Sequence, residues 1–199
     1  MDSKTMNEQR PTGTFRPSLR FFHANAKGTG SAVRMSLLPA YDTTDGCIML
    51  TIANQASVGD RRGPNPTYPR FDWENALCVK LDFNDLTKVL QVLRGACESI
   101  NDGKGLYHTS AKGATSIRLT HAVDTVQEGY VLDVCRKTGK GGDDENRARI
   151  MFSSAEALGL CEALSGAMCF ICFGMPMPVS RGAAAGQAEP RRMDDATAA

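Results

Sequence analysis

One plan is written twice along this chain. His23-Ala24-Asn25-Ala26-Lys27-Gly28 is matched by His108-Thr109-Ser110-Ala111-Lys112-Gly113. Ser31-Ala32-Val33-Arg34-Met35-Ser36 is matched by Thr115-Ser116-Ile117-Arg118-Leu119-Thr120. Gly46 and Gly129 each precede an apolar run, and Glu74-Asn75 and Glu145-Asn146 each open the next one. Four matches in one order mark an internal duplication. Both copies must then fold alike and share a core, which leaves few architectures open.

Within each copy the apolar period reads as four strands followed by a helix. From Ser31 to Leu37, Val33, Met35 and Leu37 alternate with Ala32, Arg34 and Ser36, as in a half-buried strand. Strands are expected at residues 19–26, 31–40, 47–55 and 75–81, and again at 106–110, 115–123, 130–137 and 147–152. The link 57–70 contains Gly63-Pro64-Asn65-Pro66 and reads as loop. Asp82 can cap a helix reaching about Asn101, with Leu86, Val89, Leu90, Leu93, Cys97 and Ile100 on one stripe. Ser153 and Glu156 form a capping box for a second helix over 154–172. The predicted class is α+β: a duplicated ββββα unit giving two antiparallel four-stranded sheets and two helices. Its domain spans 19–174, as half-repeats 19–103 and 104–174, between tails 1–18 and 175–199 that are too polar and aperiodic for a core.

The second helix is apolar on nearly every side, and one small sheet cannot cover it. Packing between subunits through Leu158, Cys161, Leu164, Met168 and Ile171 is therefore expected, with packing between the chain's own two helices as the alternative. Seven cysteines, an odd number, sit at strand and helix positions and read as reduced, packed thiols. That includes Cys169 and Cys172, whose C-x-x-C lacks the second pair a zinc site needs. A reducing compartment follows, such as the cytoplasm of a bacterial, phage or plasmid host, rather than secretion. Residues 1–20 lack the apolar stretch of a secretory signal, and no run of about 18 apolar residues suggests a membrane span.

No constellation here reads as catalytic. The three histidines lack metal-ligand spacing, and neither a G-x-S-x-G elbow nor a phosphate-binding G-x-x-x-x-G-K-[ST] loop is present. No enzyme, metal or cofactor is predicted. Net charge is only +1, but basic residues cluster: Arg16, Arg20, Lys27 and Arg34 lie together without an acid, as do Lys104, Lys112 and Arg118. Each copy thus sets a histidine, a Lys-Gly turn and an arginine on the next strand. Lysine offers phosphate a point charge, and arginine also stacks on bases. Phe22, Phe71, Trp73 and Tyr107 are aromatic candidates for base stacking.

These motifs, in this order, resemble the Whirly family of single-stranded DNA-binding proteins. The resemblance runs from Leu19 to Gly174. It rests on Lys27-Gly28 before Ser31-Ala32-Val33, on Phe71-Asp72-Trp73 before Val79-Lys80-Leu81, on Leu106-Tyr107-His108 before Lys112-Gly113, and on a closing helix that ends at Phe173-Gly174. The family's second lysine in the Lys-Gly-Lys motif has no counterpart at Thr29-Gly30. The resemblance implies two sheets set like whirligig blades, helices at the centre of a homotetramer, and sequence-tolerant binding of single strands in replication, recombination, repair or transcription. The expected phosphate contacts are Lys27, Arg34, Lys80, Lys112 and Arg118; the expected base contacts are Trp73, Tyr107, Phe71, His23 and His108. An RNA-binding or annealing module and a protein-assembly scaffold are the alternatives, and the C-terminal tail is a candidate contact for a protein partner.

Overall fold

The computed structural model describes residues 17–40, 44–60, 62, 64–111, 113–123, 128–138 and 144–174. The tails lie outside that set except for Pro17 and Ser18, and Ser18 already belongs to the first strand. The first half contains β1 (Ser18–His23), β2 (Ser31–Leu38), β3 (Cys47–Ser57), β4 (Arg70–Phe71), β5 (Leu77–Leu81) and α1 (Phe83–Leu93). The second contains β6 (Leu106–Ser110), β7 (Gly113–Val123), β8 (Glu128–Thr138), β9 (Asp144–Ser153) and α2 (Ser154–Phe173).

Each half is an antiparallel sheet in chain order, ending in its helix. In the first, β1, β2 and β3 lie side by side, and the far edge of β3 is divided between β5 and the two-residue β4. The second runs β6-β7-β8-β9. The sheets are therefore the expected pair of four, with β4 as an addition. The sequence showed that segment as loop because two residues after Pro69 carry no alternation.

Helix α1 stops at Leu93, eight residues before the expected end at Asn101. Gly95 adopts a left-handed φ of 72°, and the Gly95 and Ala96 amides close back on Val92 and Gln91. The apolar stripe nevertheless continues: Ile100 is buried and Cys97 packs on the core, carried there by irregular chain that bridges to β7 at Thr120. Asp82 caps α1 as expected, and Asp85 completes a capping box that an aspartate at that position did not announce. Ser153 and Glu156 cap α2, and Gly174 ends it in a left-handed conformation.

One core serves both halves. Val33, Leu50 and Ile52 from the first sheet join Ile117, Val134 and Phe152 from the second, with Leu86, Val92 and Leu160 from the helices. Phe21 meets Phe152 edge to face at 4.9 Å. The polar links across the junction obey the internal repeat. Ser31 and Asn54, partners across β2 and β3, donate to the Arg149 and Arg147 carbonyls at 2.6 and 2.9 Å. Their repeat counterparts Thr115 and Arg136 form the other junction: Arg136 donates to Thr115 Oγ1 at 2.9 Å and to the Cys78 carbonyl at 2.6 Å. His23 reaches Glu156 at 2.8 Å, and His108 reaches Asp85 at 3.1 Å. Each histidine thus pairs with the capping-box acid of the other half's helix.

The two carboxyls respond differently. Burial pushes Glu156 up, but hydrogen bonds from Ser153 and His23 outweigh it and hold the group below its ordinary 4.5. Burial raises Asp85 above its ordinary 3.8, only partly countered by His108. The stabilising share of Glu156 is complete above its ordinary value and fades as pH falls through its lower folded value. That of Asp85 lies in acid and is lost as pH rises through its raised folded value. Glu156→Gln should therefore lose less stability than the parent between about pH 6 and about pH 3, as read by urea midpoints.

Candidate nucleic-acid interface

The outer face of the first sheet collects most of the residues the sequence singles out. In β1, Leu19, Phe21 and His23 turn inward, so Ser18, Arg20 and Phe22 face out. Register carries that face across the sheet: Arg20 lies opposite Arg34, Arg34 opposite Thr51, and Thr51 opposite Cys78, with Lys80 opposite Met49. Phe22 lies opposite Ala32, and Ala32 opposite Ala53. Those small residues are fully covered, and the aromatic rings stand over this end of the sheet.

The rings form a cluster. Phe22 lies 5.7 Å from Phe71 and 6.4 Å from Trp73, and the Arg34 guanidinium sits over the indole at 5.5 Å. All of it reaches solvent: Phe22 is 55% exposed and Trp73 38%. The segment that presents Trp73 is braced. Asp72 accepts from the Asn75 side chain at 2.8 Å and its backbone amide at 3.1 Å, which holds the carboxyl below its ordinary range. The Asp72 amide donates to the Asn54 carbonyl at 2.9 Å.

At the end of this face lies the Lys27-Gly28 turn. Asn25 Oδ1 accepts from the Lys27 and Thr29 amides at 3.1 and 3.0 Å, an Asx turn. Gly28 takes a φ of 72°. Buried Gln55 fixes the turn to β3: its carbonyl oxygen accepts from the Asn25 and Gly30 amides, and its amide donates to the Asn25 and Ser57 carbonyls. A Cβ at Gly30 would sit 2.5 Å from that oxygen, so only glycine fits.

The structure thus brings together Arg34, Lys80, Phe71 and Trp73, with exposed Lys27 at the rim. Arg118 and Tyr107 face outward from the other sheet, opposite Asp133 and Ser116. Tyr107 is the repeat counterpart of Phe22 and is 73% exposed, but among the described residues it makes no ring contact. Lys112 lies outside the described residues. His23 and His108, expected to touch bases, turn inward and engage the opposite half. Phe22, a stacking candidate in the sequence but not among the expected base contacts, completes the face together with Arg20 and Gln55, which were not expected contacts either. Strand parity was the available signal for the first two: both share the face opposite Leu19 and Phe21. Nothing local marks Gln55.

Helix α2 departs from expectation in a definite way. Cys161, Leu164 and Ile171 are buried inside their own subunit, and Met168 packs on the same core. Of the expected contact residues only Leu158 is exposed, at 64%. The open face carries Leu158, Gly159, Glu162, Ala163, Gly166, Cys169 and Phe173 instead. Cys169 and Cys172 are therefore exposed thiols rather than packed ones, because the sheets cover just one side of the helix. By length and composition α2 is also apolar enough to cross a membrane, contrary to the reading by apolar runs alone. Its buried side and its His23-bound capping box tie it to this core.

Two antiparallel four-stranded sheets with two helices between them are the Whirly fold. Similar solved structures are WHY1 and WHY3 from Arabidopsis thaliana and the plant transcriptional regulator PBF-2. WHY1 matches at 14% identity with a TM-score of 0.62, over 80% of this chain and 87% of the other. WHY3 matches at 15% and 0.59, over 79% and 89%, and PBF-2 at 16% and 0.58, over 80% and 84%. No family model and no curated protein matches the sequence.

Gln55→Leu should strand the Asn25 and Gly30 amides. A stability loss of about 1–3 kcal/mol is expected in urea titration. Amide exchange at Asn25 and Gly30 should accelerate more than in the β3 interior.

Proposed function

We propose that the protein binds single-stranded nucleic acid, DNA foremost, on the outer face of the first sheet and with little sequence preference. The observation that carries this reading is the Phe22–Phe71–Trp73 cluster with Arg34 over the indole, exposed on a sheet face that also bears Arg20 and Lys80. Exposed rings gathered on one face mark a binding surface. A strand without a complement offers unpaired bases to stack on them, in any sequence, while the cations take its phosphates. Paired bases hide their faces, so duplex DNA is a poor ligand for the same surface. The similarity to a plant transcriptional regulator and the motif resemblance accord with a role in replication, recombination, repair or transcription.

Trp73 is the chain's one tryptophan, so its emission reports directly on the site. Oligo-dT should quench it, and Trp73→Ala should weaken binding by about 1–3 kcal/mol in fluorescence anisotropy. Arg34→Ala and Lys80→Ala should each reduce the salt slope by about one. Equal affinity for duplex and single strand would overturn the reading, and a marked preference for RNA of matched length would redirect it to an RNA-binding module.

The same reading includes a homo-oligomer, with four subunits as the expected number. Support comes from the open face of α2, where Gly159 and Gly166 have nothing within 4 Å of an added Cβ. Small residues beside Leu158 and Phe173 let another helix approach closely. Gly166→Glu adds charge without a clash inside the subunit. It should yield a folded monomer in light scattering, and a tetramer persisting in this variant would count against the seam.

A further inference from the structure

We propose that the free edge of β1 takes up one more strand from a protein partner: an extended segment of alternating apolar and polar residues, with an acid among the polar ones.

The backbone supplies the first argument. Among the described residues, β1 has β2 on one side and no strand on the other. Its register with β2 runs unbroken from Ser18 to His23, with no bulge or internal proline to blunt the edge. The Leu37 amide donates to the Pro17 carbonyl at 3.1 Å, and hydrogen-bonded pairs in an antiparallel ladder recur at every second residue. Leu19, Phe21 and His23 therefore spend their amides and carbonyls on β2. Those of Ser18, Arg20 and Phe22 point to the open side, a row of donors and acceptors that an added strand can match.

A groove of about 370 Å³ opens beside the start of this edge. Pro17, Ser18 and Leu19 form its rim, Leu37 and Ile48 continue it along the sheet, and Gly166 and Phe170 of α2 line the far side. Apart from Ser18, no lining residue has a polar side chain. Side chains of an added strand alternate between the faces, so the one beside Leu19 turns inward and enters the groove. It must be apolar.

Charge selects the neighbouring position. Arg20 lies directly opposite Arg34 on the outer face. Arg20 reaches the Ser18 hydroxyl at 3.3 Å and Arg34 sits over the Trp73 ring; among the described residues neither pairs with a carboxylate. Like charges side by side on a sheet repel. A carboxylate on the added strand beside Arg20 offsets that repulsion, and a lysine there worsens it. The same charge disfavours a second copy's β1 at this edge, because full antiparallel overlap sets Arg20 against Arg20.

The test uses the full chain and a labelled synthetic peptide in which valine alternates with threonine and one central glutamate. Anisotropy should show binding. Amide exchange should slow at Arg20 and Phe22, while Leu19 and Phe21, already bonded to β2, stay unchanged. A lysine in place of the peptide's glutamate should weaken binding by about fivefold, and Arg20→Glu should reverse that preference. Ala163→Trp, which fills the groove from an exposed position on α2, should abolish binding. Absence of binding by the parent chain overturns the proposal, as does protection that ignores the alternation or a glutamate preference that survives Arg20→Glu. If oligo-dT protects those amides and the peptide does not, the edge belongs to nucleic acid. If Ala163→Trp lowers the subunit count in light scattering and the peptide binds neither form, the groove belongs to a second copy. Either result also overturns the proposal.

Discussion

The structure depends on a reciprocal exchange between its two halves. Each copy ends in a helix whose third residue is an acid, and each opens with a strand that carries a histidine. His23 reaches Glu156 and His108 reaches Asp85. Neither half satisfies its own pair. The acids already brace the amides at the start of their helices, so each clamp joins a strand of one copy to the helix entry of the other. A pair shared in this way fixes orientation as well as distance, and it does so twice about a pseudo-twofold axis. The Ser31–Asn54 and Thr115–Arg136 junctions repeat the logic with carbonyl acceptors.

Because the inward faces are committed to that exchange, the outward faces are left to diverge. The first sheet gained β4, and with it Phe71 and Trp73 beside Phe22. The second sheet keeps the counterparts Tyr107 and Arg118, but there Asp133 lies opposite Arg118 and holds Arg147 through a forked pair. A duplicated scaffold has thus produced one face rich in rings and another rich in paired charge. The difference goes with the longer link that follows the third strand of one copy, from 58 to 69.

The repeat itself was legible because it is written in residue types, and the element plan followed from alternation and capping. The parts that were hidden share a cause: they depend on which face of an element meets which neighbour. Histidines beside lysines looked like ligand contacts, yet strand parity sends them inward and only the other half supplies their acids. Helix α2 looked uniformly apolar, so composition could not say that Cys161, Leu164 and Ile171 face the subunit's own core while Gly159 and Gly166 face out. Gln55 is one of several polar residues in β3, beside Asn54, and its role appears when Asn25 and Gly30, some 25 to 30 positions away in sequence, close on it.

A net charge of +1 seemed at odds with phosphate binding, and the fold removes the conflict. Asp82, Asp85 and Glu156 stand at helix entries, where the helix dipole and exposed amides favour a negative group. Two of them also face histidines at the junction between halves. Those acids are thereby placed on the inner side of the sheets, at positions where they stabilise secondary structure. Arg20, Arg34 and Lys80 are left on the outer face. Overall charge sums the two sides, but a strand lying on the sheet meets one of them, and at separations near the screening length of about 8 Å the local sign decides whether it is attracted.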